Sequence, residues 1–180
     1  MRYAKIDNFE YTNGKGIGIS LYVQGCDFHC KGCFNAETWD FNNGKEWTKD
    51  VENNFFQLID NPHITRVSIL GGEPLHDKNI RTLYAILSKI KKIHPDKKIW
   101  IYTGYIYENI VLKTFDEWCS HTQADDYRRS IVTQLCDVLV DGQFQIDKKD
   151  PSLAFKGSSN QRIIDVEKSL EANKIVLYEG

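Results

Sequence analysis

Four apolar stretches of strand length each run into a loop that carries glycine, with helix-period sequence between most of them, and this rhythm leaves few folds open. Ile17, Ile19, Leu21 and Val23 alternate with Gly18, Ser20, Tyr22 and Gln24 and stop at Gly25. Residues 66–70 run into Gly71-Gly72-Glu73-Pro74, residues 97–102 break at Thr103-Gly104, and Val138-Leu139-Val140 ends at Asp141-Gly142. After the first stretch, Thr48 can cap a helix whose apolar side is Val51, Phe55, Leu58 and Ile59. Ile80, Leu83, Tyr84, Leu87 and Ile90 recur at helical spacing after the second. A helix is predicted from about Tyr107, then a polar stretch over 121–126, then a helix through Ile131 and Leu135. The tail shows a short apolar segment at Ile163-Ile164 and a last predicted strand over 174–178. Alternating strands and helices imply an α/β fold with a mostly parallel sheet. About five strands are too few for a closed eight-stranded barrel. The expected architecture is therefore one domain over 1–180 with an open, partial β/α barrel.

In parallel sheets ligands bind beyond the carboxyl ends of the strands, so the glycine loops should gather around one site. The first of them holds Cys26-Asp27-Phe28-His29-Cys30-Lys31-Gly32-Cys33, a C-x3-C-x2-C spacing with no fourth cysteine nearby. Soft thiolates select iron–sulfur clusters, zinc or copper. Structural zinc usually takes two separated ligand pairs or a nearby fourth ligand, and His29 is poorly placed between two cysteines to be one. Three thiolates on a cube of four irons leave one iron open to bind a reactant. A [4Fe-4S] cluster on Cys26, Cys30 and Cys33 is the favoured reading, with zinc or unligated buried thiols as the alternatives. Phe34 and Asn35 follow directly and are expected to line the same cavity, a core ring and a surface turn being the plainer reading.

Composition closes other routes. The chain has 180 residues, a formal net charge of −2 and no long basic run, so no electrostatic footprint for nucleic acid is present. No apolar stretch approaches the ~18 residues of a membrane span, and the N-terminal residues lack a signal peptide's apolar core. The expected compartment is the cytoplasm. Five cysteines, an odd number, argue against a disulfide framework and for reduced thiols. Cys119 and Cys136 are read as small buried side chains. Gly14-Lys15-Gly16-Ile17-Gly18 precedes a strand instead of joining strand to helix, so it is a turn and not a dinucleotide fingerprint. His63, His76, His94 and His121 lack metal-pair spacing and are read as locally satisfied.

With Gly71-Gly72-Glu73-Pro74 after the second strand, the cysteine loop resembles the radical S-adenosylmethionine superfamily. Within it the chain resembles the activating proteins of anaerobic ribonucleoside-triphosphate reductases. That narrower likeness rests on Gln24-Gly25-Cys26, Cys30-Lys31-Gly32-Cys33-Phe34-Asn35, Thr38-Trp39 and Leu70 to His76. It continues through Trp100 to Tyr105, Asp137 to Phe144 and Gly157 to Arg162. The resemblance implies the partial barrel of that superfamily and an open iron that chelates S-adenosylmethionine. It implies an external low-potential donor such as flavodoxin or ferredoxin, and cleavage of the sulfonium to methionine and a 5′-deoxyadenosyl radical. The protein substrate it implies is the large subunit of the reductase, which loses a hydrogen atom from a glycine Cα. Contacts to S-adenosylmethionine are then expected from Gly71, Gly72, Glu73, Phe34, Asn35 and Thr103. Asp141, Asn160 and Arg162 are weaker candidates for the cosubstrate or the partner's loop, a turn or capping role being as good a reading for them. Trp39, Phe41, Trp47 and Tyr105 are offered as partner anchors or core rings. One departure stands out: much of the superfamily has an aromatic before the third cysteine, where this chain has Gly32. That leaves Phe28 and Phe34 as candidates to meet adenine. Activation of a different, formate-lyase-like glycyl-radical enzyme and a non-catalytic iron–sulfur or zinc protein are the rival functions.

Overall fold

The computed structural model describes residues 1–111 and 124–180. Cys119 and His121, and half of the polar stretch over 121–126, lie outside the described residues. The strands are β1 (Arg2–Glu10), β2 (Gly18–Val23), β3 (Lys45–Glu46), β4 (Arg66–Gly71), β5 (Lys98–Tyr102), β6 (Val138–Asp141) and β7 (Arg162–Asp165). They form one open sheet in the order β3-β1-β2-β4-β5-β6-β7. The helices are α1 (Lys49–Ile59), α2 (Asp77–Ile93), α3 (Tyr107–Ile110), α4 (Ala124–Gln134) and α5 (Val166–Ala172). Among the described residues no helix is long and apolar enough to cross a membrane.

The four central strands β2, β4, β5 and β6 are mutually parallel. The flanking pairs β1–β2, β1–β3 and β6–β7 are antiparallel, which makes the sheet mixed where a mostly parallel one was expected. Three corrections account for this, the first being that the two-residue β3 was not expected. β1 was not expected, because Tyr3 is its only buried residue and the strand has no apolar stripe to announce it. The last strand lies at Arg162–Asp165, not over 174–178. That later segment runs beside β7, with Asp165 N–H donating to Val176 O and Tyr178 N–H to Ile163 O, but forms only an isolated bridge.

The period-2 alternation of the central strands separates two faces. Ile19, Leu21, Val23, Val67, Ile69, Ile99, Ile101 and Leu139 face the main core, against Phe55 and Ile59 of α1 and Ile80, Leu83, Leu87 and Ile90 of α2. Thr48 caps α1, its side chain accepting from Val51 N–H at 3.3 Å. On the opposite face Trp100, Val138 and Val140 form a smaller cluster with Tyr102, Phe155, Ile163 and Tyr178. Arg66 is wholly buried, bonded to Ser68 Oγ at 2.6 Å and to Glu10 Oε2 at 3.0 Å. Tyr22, Leu70 and Tyr102 from this second face line a cavity.

Candidate active site

The loops at the carboxyl ends of β2, β4, β5 and β6 meet around that cavity, whose volume is about 660 Å³. This is within the range of pockets that enclose a small-molecule cosubstrate. Cys26, Cys30, Cys33, Phe34, Asn35, Gly71, Gly72, Glu73 and Thr103, all predicted from sequence, line it.

Gly25 opens the cysteine loop at φ +97°, and a Cβ there would strike the Phe41 ring at 1.9 Å. The loop is tied down by Gly25 N–H to Thr38 O at 2.7 Å and Cys26 N–H to Trp39 O at 3.0 Å. Backbone amides then point at the sulfurs. Cys26 is approached by the backbone of Phe28 and His29, and Cys33 Sγ by Asn35 N–H at 3.4 Å. Cys30 is approached by the backbone of Phe144, and Gln143 Oε1 lies 4.0 Å from its Sγ. Burial pushes the Cys26 thiol up to about 11 and raises that of Cys30 as well, where the neighbouring Cys33 adds to the effect. A bound cation reverses that preference, because it draws the proton off a coordinating thiol.

His29 stacks on Trp39 at 4.6 Å. Among the described residues no three His, Cys, Asp or Glu side chains sit close enough together to hold one metal ion. Cys26, Cys30 and Cys33 are half-buried on one cavity wall, each with a backbone amide directed at its sulfur, the kind of donor set an iron–sulfur cluster takes. Cys136 is elsewhere, buried in the main core with its thiol donating to Thr133 O at 3.0 Å.

The β4 loop is set by close approach. Gly72 N–H donates to Val23 O and Glu73 N–H to Gly25 O, both at 2.8 Å, and a Cβ on Gly72 would lie 2.5 Å from Gly25 O. Glycine is thus required here by backbone packing, whatever the ligand. Glu73 is 2% exposed, and its carboxylate gathers three loops. It accepts from Leu75 N–H, Thr103 Oγ–H and Gly104 N–H, each at 2.8 Å. Burial raises its pKa to about 7 against those three donors. An ionised carboxylate has about four acceptor positions, so three donors leave roughly one for a cation in the cavity.

The three weaker candidates do not line the cavity. Asp141 and Arg162 are directly opposed across the β6–β7 ladder. Arg162 bonds Asp141 at 3.0 Å through Nε and again through a second nitrogen, and grips Glu108 at 2.7 and 2.8 Å. Asp141 also accepts from Tyr107 N–H at 2.9 Å. Asn160 donates to Gln143 O at 2.9 Å. These residues tie the β6–β7 connection to the sheet.

Among the offered aromatics, Trp47 packs between Tyr3 and Phe55 in the core, and Tyr105 meets Phe28 edge-on at 5.0 Å. Phe41 lies against His76, whose imidazole caps α2 and meets Asp27 at 2.9 Å. Phe28 and Phe34 both reach the cavity, and Phe34 sits exposed at its rim against Phe144. Sequence reasoning did not single out Tyr22, Tyr102, Gln143 or Phe144. Alternation with the core residues Leu21 and Ile101 was the available signal for the two tyrosines.

Comparison with known proteins gives this geometry a family. A family model described as a 4Fe-4S single cluster domain matches residues 12–164. A protein of Pasteurella multocida named anaerobic ribonucleoside-triphosphate reductase-activating protein is 34% identical over 165 residues, 91% of this chain and 96% of the relative. Relatives of the same name from Salmonella typhi and Escherichia coli are 35% and 34% identical over 163 residues, 89% of this chain and 96% of each relative. The chain belongs to this family. The 4Fe-4S domain and the C-x3-C-x2-C loop coincide in the matched segment.

Proposed function

We propose that this chain activates an anaerobic ribonucleoside-triphosphate reductase by generating a glycyl radical on the reductase large subunit. Cys26, Cys30 and Cys33 would hold a [4Fe-4S] cluster with one iron free of protein ligands. When bound, that cluster supplies the electron that cleaves S-adenosylmethionine to methionine and a 5′-deoxyadenosyl radical, which takes a hydrogen atom from the Cα of a partner glycine. A low-potential donor such as flavodoxin or ferredoxin provides the electron, and the cytoplasm is the setting. In this reading the open sheet is the incomplete barrel of the radical S-adenosylmethionine type, and residues 1–180 act as one domain.

The observation that carries the proposal is the convergence of three thiols and the Gly71-Gly72-Glu73 loop on one cavity. The roles of the chain's own residues follow from that placement. Gly71 and Gly72 bring the backbone itself to the cavity edge with no side chain between. Glu73 fixes Thr103 and Gly104 and keeps one acceptor position for the ammonium of the methionyl group. Phe28 and Phe34 offer apolar surface to adenine, and Asn35 lies beside Cys33 within reach of the same ligand. Leu70, Phe155 and Leu153 make part of the lining apolar, which helps keep water from a reactive alkyl radical. Asp141, Asn160 and Arg162 act on the partner's loop only through the connection they anchor.

The test is anaerobic reconstitution with iron and sulfide, reduction, and assay for 5′-deoxyadenosine, with and without the reductase. Formation of 5′-deoxyadenosine together with a glycyl EPR doublet on the reductase supports the proposal. A cluster that forms but never cleaves S-adenosylmethionine overturns it. The three relatives above are named for the reductase, which favours that partner over a formate-lyase-like one.

A further inference from the structure

Cys30 differs from the other two thiols in where its polar neighbours come from. Among the described residues, the hydrogen bonds that reach Cys26 and Cys33 come from backbone close by in the same loop, Phe28 and His29 in one case and Asn35 in the other. Cys30 also meets the connection between β6 and β7, 113 residues further along the chain, through the Gln143 side chain and the Phe144 backbone. That connection is held in a fixed shape. Gln161 accepts from Gly157 N–H at 2.9 Å and Ser158 N–H at 3.2 Å and donates to Gly142 O at 2.9 Å, pinching the two ends together. Asn160 holds the Gln143 carbonyl. Phe144 packs on Phe34, and Ile146 fills the space beside Gly32, where a Cβ would lie 2.8 Å from its methyl.

We propose that Gln143, carried by the pinned β6–β7 connection, is a positioning residue that donates a side-chain N–H to the Cys30 thiolate and so sets the reduction potential of the cluster. This rests on the cluster reading above. The chemistry follows from the amide. Facing a thiol, its oxygen accepts the S–H; facing a thiolate, the same amide turned over donates N–H instead. Hydrogen bonds to cluster sulfurs stabilise the more negative, reduced state and raise its potential. Phe144 provides a backbone partner that substitution leaves in place, so the side-chain contribution can be isolated. Gln143 is exposed, so its replacement does not disturb the core.

The test compares the unsubstituted protein with Gln143→Met, which keeps the length but removes the donor, and Gln143→Glu, which replaces it with an anionic acceptor. Each is loaded anaerobically, its iron and sulfide are counted, and its midpoint is read by EPR-monitored redox titration. The Met variant should keep its iron and show about a tenfold fall in the reduced-to-oxidised ratio at a fixed potential, roughly 59 mV for one electron. The Glu variant should shift further in the same direction. Gln161→Ala, which frees the connection's ends, should shift the same way with Gln143 intact. Unchanged midpoints in the Met and Glu variants would overturn the proposal. So would loss of iron from both, since Gln143 would then serve assembly and not potential. Failure of the cluster reading itself would show separately, as no cubane signal in the unsubstituted protein.

Discussion

Glu73→Gln isolates the one side chain on which three loops of the cavity depend. The carboxylate is 2% exposed and accepts three hydrogen bonds, from Leu75 N–H, Thr103 Oγ–H and Gly104 N–H, each at 2.8 Å. An amide oxygen can keep the Leu75 and Thr103 bonds, which share Oε1. Its NH2 then faces the Gly104 N–H, donor against donor. One charge-assisted bond is lost and one buried N–H is left unpaired, at a cost of about 2 kcal/mol. For a chain of this size that is roughly 4–8 °C in Tm. The pH dependence has a definite sign. Burial raises the folded pKa to about 7, above the ordinary 4.5, so the folded chain holds this proton more tightly than the unfolded one. The stability it contributes is full below about 4.5 and declines as pH rises to about 7. Glutamine does not titrate, so the variant's deficit should be smallest above pH 7 and widen toward pH 5. Urea unfolding followed by circular dichroism at pH 8 and pH 5 reads both. A variant within about 0.5 kcal/mol of the parent at both values would refute the claim that Glu73 fastens these loops.

Arg162→Ala should cost about 2–3 kcal/mol, because it strips the buried Asp141 of its cationic partner. Calorimetry should show that loss while S-adenosylmethionine affinity, measured by titration calorimetry, stays unchanged. Cys26→Ala, Cys30→Ala and Cys33→Ala should each abolish full iron loading, whereas Cys136→Ala should retain it, as counted by iron and sulfide analysis. Glu10 should show acid-side linkage. Its burial alone would raise its pKa, but bonds from Thr12, Arg66 and Ser20 outweigh that and hold it near 2, below the usual 4.5. The stability it contributes is present above about 4.5 and lost as pH falls toward 2. Glu10→Gln should therefore flatten the fall in Tm between pH 5 and pH 3. Gly72→Ala should destabilise the β4 loop by about 1–3 kcal/mol through the 2.5 Å approach to Gly25 O, read by the same unfolding assay.

The central strands were legible because each carries its own apolar residues and a glycine stop, as Ile19-Leu21-Val23 and Gly25 show. Thr48 was legible as a cap because capping is local. β1 was not, since the residues opposite it on β2 define it and only Tyr3 is buried. The tail misled for a related reason. Residues 174–178 are apolar enough for a strand, yet β7 takes the sheet edge, and Asp165 ends it by capping α5. In the site, spacing within eight residues exposed the cysteines. The partners of Glu73 and the Asp141–Arg162 pair could not be read that way, because they depend on which strands are neighbours. The same limit hid Gln143 beside Cys30.

The most direct test of the central claim is Mössbauer spectroscopy of anaerobically loaded protein with and without S-adenosylmethionine. A cubane held by Cys26, Cys30 and Cys33 predicts one iron of four whose parameters change when the cosubstrate binds, the other three staying put. Four equivalent irons indifferent to S-adenosylmethionine, or no cubane in the loaded protein, would contradict the account.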